Sequence, residues 1–408
     1  MREHGWKYIV GFFFFQVTSA QNRTMSDAAI WRKIERFSPL KGAVIPADFS
    51  RRLGATHVGG KYFFTNEPYL VEGTKKLKEL GMGVCKLWMY KNPSGYQYNS
   101  DWNLPKNTSL TDLAKHPYYQ AAFAFPLSTF VLSTSAGVNM IQADSAGLAK
   151  EEKEFYDLAL YLLEKYQDRD VEFILSNWEG DWILRGGVGW EAQWGRVAPP
   201  DDLPSRIQSL RRVFEVRQRA VDNARKKIPQ SRCRVYHAIE VNKVVDASFG
   251  IPSVTNDVLP FVHVDMVSWS AYDATDFDKT GIDLYRGIDY IRSKMKPSEY
   301  TKKPIVFIGE IGIPEMATKN LPEEFKHRWD TYLSVCLAQQ IPYIIYWELY
   351  CNETGKDVKI EQPVSTKNNR DLNGFWLIRP DGKQGYAMNY FEQLLQNAGR
   401  RLAVKSNE

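Results

Sequence analysis

The chain has 408 residues, 44% hydrophobic and 25% charged, a balance that excludes wholesale disorder and supplies ample material for a core. The net charge is only +5 and no basic cluster concentrates it, so nucleic acid is not an expected partner. Aromatic residues reach 13%, with 12 Trp and 22 Tyr, which points to a surface that stacks on flat partners as well as to a core.

Residues 1–20 read as a secretory signal peptide. Arg2 and Lys7 form a basic start, residues 8–17 are apolar, and Thr18-Ser19-Ala20 end the stretch with small residues. Cleavage is expected after Ala20, leaving a mature chain of 21–408 that is secreted, extracellular or periplasmic. The apolar run is shorter than the ~20 residues a spanning helix needs, so no membrane association is expected after cleavage. Of the cysteines, Cys85 and Cys233 fall in predicted strands and Cys336 in a predicted helix. Export permits disulfides, but each of these reads as a small buried apolar residue. Asn22, Asn107 and Asn352 match the N-glycosylation pattern, which matters only in a eukaryotic secretory route.

From there strands and helices alternate. Residues 42–47 (GAVIPA) are the first strand-like run. Residues 74–80 are helical and lead into a second strand at 83–89 (GVCKLWM). The third strand is 128–133, followed by a helix over 151–165 and a fourth strand at 171–176 (VEFILS). A long basic helix over 206–227 precedes the fifth strand, 234–239, and the sixth is 266–270 (MVSWS). A helix over 284–295, a seventh strand at 304–308, a helix over 322–339 and an eighth strand at 343–347 (YIIYW) follow. A last helix covers about 386–402. These strands are nearly continuous apolar runs, as in a parallel sheet covered on both faces. Eight of them with interleaved helices predict a single-domain α/β fold, a (β/α)8 TIM barrel with long βα loops. The rival, a doubly wound open sheet, would be expected to show a Gly-rich phosphate turn, and the sequence has none. The largest insertions, 90–127, 181–204 and 350–375, all follow strand C-termini, the end where barrels keep their active sites.

Two carboxylates sit at strand ends. The fourth strand runs into Asn177-Trp178-Glu179-Gly180-Asp181-Trp182 and the seventh into Gly309-Glu310-Ile311-Gly312. Strands four and seven lie on opposite sides of an eight-stranded barrel, so Glu179 and Glu310 can face each other across its mouth. Paired carboxylates are what glycoside hydrolysis requires: one protonates the leaving oxygen, the other attacks the anomeric carbon or activates water. Structural carboxylates paired with rim cations are the plainer alternative. Metal-dependent hydrolysis wants clustered histidines, and no two of the six are close in sequence, so neither metal nor cofactor is expected.

On these residues the chain resembles the clan A retaining glycoside hydrolases, the (β/α)8 cellulase and β-mannanase superfamily. In that clan an Asn-Glu pair ends strand four with the acid/base, and a Glu ends strand seven as the nucleophile. A Tyr ends strand six and a Trp ends strand eight. The resemblance implies Glu310 as nucleophile, Tyr272 (SAYDA) as its hydrogen-bond support, Trp347 (IIYWELY) as the floor of a sugar subsite, and Glu179 as acid/base. It also implies a hairpin near 374–387 before the last helix. Two departures stand out. Trp178 separates Asn177 from Glu179, which leaves Asp181 as an alternative acid/base and a catalytically inactive carbohydrate-binding barrel as an alternative function. Lys86 stands where the clan often has Arg, and its point charge supports a nucleophile more loosely than a planar fork.

The expected function is thus retaining hydrolysis of β-glycosidic bonds in a poly- or oligosaccharide, the carbohydrate being the partner. Further substrate-binding candidates are Asn177, Asp181, His237, Trp88, Trp190 and Trp194. Glu240 and Asn242 share the end of strand five with His237, Glu348 is a further acidic residue read as structural or orienting, and Asp48 follows the first strand-like run. A structural role is the alternative for each histidine and loop Trp.

Overall fold

The computed structural model describes residues 25–186, 198–318, 321–361 and 363–402. Residues 1–20, Trp190 and Trp194 lie outside these ranges. Eight parallel strands close into one barrel. They are β1 (Leu53–His57), β2 (Val84–Tyr90), β3 (Thr129–Ser135), β4 (Glu172–Ser176), β5 (Arg234–Val241), β6 (Met266–Ser270), β7 (Val306–Ile311) and β8 (Ile344–Tyr346). The order around the barrel is sequential, with β1 hydrogen-bonded to both β2 and β8. Nearly every strand residue is buried, because one face meets the barrel interior and the other meets the helices.

The first strand differs from the sequence expectation. Residues 42–47 make only an isolated antiparallel bridge, Val44 to Arg401, and the barrel strand is Leu53–His57. Its sequence, LGATH, has no apolar run and a single β-branched residue, Thr56. It is held by neighbours on both sides rather than by propensity. Asp48 consequently precedes β1, at the end of the barrel opposite the mouth, where it pairs with Arg52 at 3.0 Å. The last helix is also shorter than expected: it covers Tyr386–Gln396 and stops at Asn397, ahead of Gly399 with φ +79°. An Ile378–Gln384 bridge forms the hairpin expected before it.

Helices Ser145–Lys165 and Leu203–Lys227 pack against each other outside β4 and β5. Their contact buries an ion pair in which Arg217 Nε donates to Glu151 Oε1 at 2.7 Å, with the guanidinium 4.3 Å from the centre of the Phe155 ring. Both charged side chains are 1% exposed. All four cysteines are buried and free.

Removing one partner of a buried pair strands the other charge without solvent. Glu151→Ala is therefore expected to lower stability by about 3–5 kcal/mol. Glu152→Ala, which breaks the exposed pair with Arg219, should cost less than about 1 kcal/mol. Urea unfolding of both variants checks this contrast.

Candidate active site

The site is built around Lys86. Strand alternation turns Lys86, Trp88 and Tyr90 of β2 into the barrel, and Lys86 is completely buried there. Its ammonium donates to Glu240 Oε2 at 2.7 Å, to Glu310 Oε1 at 2.8 Å and to the Gly309 carbonyl at 3.3 Å. Burial opposes its charge, but the two carboxylates outweigh that and hold Lys86 above the usual lysine range.

Glu310 reaches its place through a register shift. β6 and β7 pair Trp269 with Ile308 and then Ser270 with Glu310, so Gly309 is passed over. A side chain at 309 has no room: a Cβ there would lie 1.8 Å from Ser268 Oγ and 2.7 Å from Glu240 Oε2. Ser270 therefore stands opposite Glu310, and its hydroxyl contacts Glu310 Oε2 at 3.4 Å and Glu179 Oε1 at 2.6 Å. One hydroxyl between two carboxylates holds them close across the mouth.

The extra residue after Asn177 is accommodated by tying the end of β4 to β5. The Asn177 side chain receives the Glu240 N–H at 3.0 Å and donates to the Glu240 carbonyl at 3.2 Å. Glu179 N–H then donates to Glu240 Oε1 at 3.2 Å, which leaves the Glu179 carboxyl facing Ser270. Burial, and next the charge of Glu310, push Glu179 up to about 8. Burial also raises Glu310, to about 7, with Lys86 pulling against it. The two groups titrate as a pair, with Glu179 the one that keeps its proton longer.

Asp181 does not join this pair. It is fully buried and accepts backbone N–H groups from Asn242 (2.9 Å), Lys243 (3.0 Å) and Val254 (2.7 Å), which tie the loops after β4 and β5. Asn177 likewise spends its side chain on backbone. His237 does not face the mouth. On β5, Tyr236, Ala238 and Glu240 alternate with it, and since Glu240 points inward His237 points outward. There its Nδ1 pairs with Gln218 Oε1 at 3.2 Å, and burial holds the ring neutral. The expected hydrogen bond from Tyr272 to Glu310 is absent. Tyr272 Oη is buried without a hydrogen-bond partner among the described residues, near enough to Glu310 for that charge to oppose its ionisation, while Ser270 and Lys86 make the contacts to the carboxylate.

Trp347, 8% exposed, follows β8 and donates to the carboxyl of Glu353. Trp88 is partly exposed beside Tyr90, with ring centroids 5.4 Å apart. Glu348 is buried and accepts the Asn352 N–H at 2.8 Å. Ser268 and Ser270 are the site residues that sequence reading missed. Their signal was present in MVSWS: two hydroxyls two residues apart, in an otherwise apolar strand, mark one polar face.

No family model and no curated protein matches the chain. Among solved structures, the GH5_18 protein of Bifidobacterium longum subsp. longum superposes with a TM-score of 0.51 at 12% identity, covering 85% of this chain and 78% of that one. A broad-specificity GH5-4 endoglucanase from Clostridium longisporum reaches 0.49 at 13% identity, over 86% and 97% of the two chains. A glycoside hydrolase 5 lichenase from a Caldicellulosiruptor species, complexed with cellotetraose, also reaches 0.49, at 12% identity over 88% and 97%. The first of these superpositions shows a shared (β/α)8 barrel fold.

The raised Glu179 has a thermodynamic signature. Unfolded, it titrates near 4.5; folded, near about 8. Its contribution to stability is complete below the lower value and is lost as pH rises through the upper one. Glu179→Gln mimics the protonated form, so its melting temperature should match the wild type near ~pH 5 and exceed it near ~pH 9. The gain should be roughly 1 °C for each kcal/mol of burial cost relieved, because the unfolding entropy of a long chain is large. Thermal unfolding at both pH values measures this, and a constant difference would contradict it.

Proposed function

We propose that the protein is a secreted glycoside hydrolase that cleaves β-glycosidic bonds of an oligo- or polysaccharide with retention of configuration. The observation that carries this reading is the pair of buried carboxylates after β4 and within β7, bridged by the single hydroxyl of Ser270. Retaining enzymes hold their carboxyl groups ~5–5.5 Å apart, whereas inversion needs ~6.5–9.5 Å to admit a water between them. A shared hydroxyl fits the shorter spacing.

The chemistry follows from the surroundings of each group. Glu310, beside the Lys86 ammonium, is the better anion and attacks the anomeric carbon. Glu179, raised furthest by burial and by its neighbour, donates its proton to the leaving oxygen. Once the leaving group departs, Glu179 is a carboxylate and takes the proton of the water that releases the sugar from Glu310. Trp347 and Trp88 offer indole faces to the C–H faces of a sugar ring. The basic, apolar and small-residue segments of 1–20 support export.

The test is product release from a panel of β-glucans, β-mannans, xylan, galactan and aryl β-glycosides. Glu310→Gln and Glu179→Gln should each lose at least ~10²-fold in kcat/KM. The first-formed anomer, read by proton NMR, should keep the substrate's configuration. Oligosaccharide binding without turnover would favour the inactive carbohydrate-binding barrel instead. Sequencing the N-terminus of secreted protein tests export, with Gln21 expected first. The pH profile of kcat/KM should be a narrow bell, rising as Glu310 ionises near about 7 and falling as Glu179 deprotonates near about 8.

A further inference from the structure

We propose that Glu240, a third carboxylate beneath the pair, is a positioning residue that ties both catalytic carboxyls together and sets how they share their proton. This rests on the hydrolase reading of Glu179 and Glu310. Glu240 is completely buried on β5, so it cannot touch a substrate. Both of its oxygens are engaged. Oε1 accepts the backbone N–H of Glu179 at 3.2 Å, fixing the start of the acid/base loop. Oε2 accepts the Lys86 ammonium at 2.7 Å and the Ser268 hydroxyl at 2.7 Å. Lys86 is the same group that contacts Glu310, so one carboxylate reaches the acid/base through its backbone and the nucleophile through its counterion.

Room for this carboxylate is built into the neighbouring strand. The space at Gly309 that a side chain would fill is held by Ser268 Oγ and Glu240 Oε2. The Asn177 side chain pins the Glu240 backbone from both its N–H and its carbonyl. The charged and titratable groups around Glu240 are Lys86 and Tyr90 from β2, Glu310 from β7 and Glu179 from the loop after β4. One ammonium therefore faces three carboxylates. Glu240 takes part of that positive charge and adds a negative one, and both effects favour retention of a proton by Glu179 and Glu310.

The sign of the effect separates this role from simple packing. Removing the charge in Glu240→Gln leaves Lys86 to Glu310 alone and takes a repelling charge from both catalytic groups. The titration midpoints of Glu310 and Glu179 should both fall, by about one pH unit, a ~10-fold change in each ionisation constant. Ser268→Ala removes only a hydroxyl donor from the same Glu240 oxygen, leaves that charge less neutralised, and should move the Glu310 midpoint upward instead. Carbon-13 NMR of the full chain labelled at the glutamate side-chain carboxyl reads these midpoints without a substrate. The two resonances are assigned from Glu179→Gln and Glu310→Gln. Midpoints that stay in place in folded Glu240→Gln overturn the proposal. If that variant does not fold, an unmoved or lowered Glu310 midpoint in Ser268→Ala overturns it. Failure of the hydrolase reading would appear elsewhere, as oligosaccharide binding without turnover or as turnover that survives both catalytic substitutions, and would leave these titrations unaffected.

Discussion

The constraint on which this site depends is a lysine inside a barrel. An ammonium removed from water costs several kcal/mol unless anions replace the solvent. Lys86 is given two, Glu240 from β5 and Glu310 from β7, on strands that only barrel closure brings opposite β2. Those carboxylates need donors of their own, and Ser268 and Ser270 supply them from β6. Gly309 is bare because two of these groups occupy its side-chain volume. The polar layer at the mouth is one connected network in which each member satisfies another, the condition under which buried charge is tolerated.

The network also divides labour between chemically identical groups. Glu179, Glu240 and Glu310 are the same residue type within one small volume. Glu240 has no exposed surface and no free oxygen. Glu310 has the ammonium beside it and faces the mouth. Glu179 has the Ser270 hydroxyl against its carboxyl and a neighbouring anion in Glu310. Environment alone places Glu179 above Glu310 for holding a proton, the order that acid/base and nucleophilic roles require. Trp178, which lengthens the usual spacing between Asn and Glu, does not disturb this. Asn177 and Glu240 clasp the backbone on either side of the added residue, and Asp181 anchors the following turn.

Much of the barrel was legible because a strand buried on both faces carries a mainly apolar run, and seven of the eight strands have one. β1 was not, since LGATH owes its conformation to β2 and β8 rather than to its own side chains. Glu179 and Glu310 were visible as carboxylates at strand ends. His237 stayed open between a site role and a structural one because apolar runs hide the alternation: only when Glu240 is known to point inward does the odd-numbered face of β5 have to point out. The contact expected of Tyr272 falls to Ser270 because a register shift at Gly309 brings the serine opposite Glu310.

By itself the sequence determined the class of fold, the end of the barrel where the long loops gather, and the two carboxylates facing across it. These follow from periodicity and chain order, which are local properties. Tertiary structure alone decided which groups share a proton, which carboxylate is sealed beneath the other two, and which hydroxyl bridges the pair. Those outcomes depend on distances of a few ångströms between strands far apart in sequence. Such distances come from register and burial, and neither is encoded in any single segment.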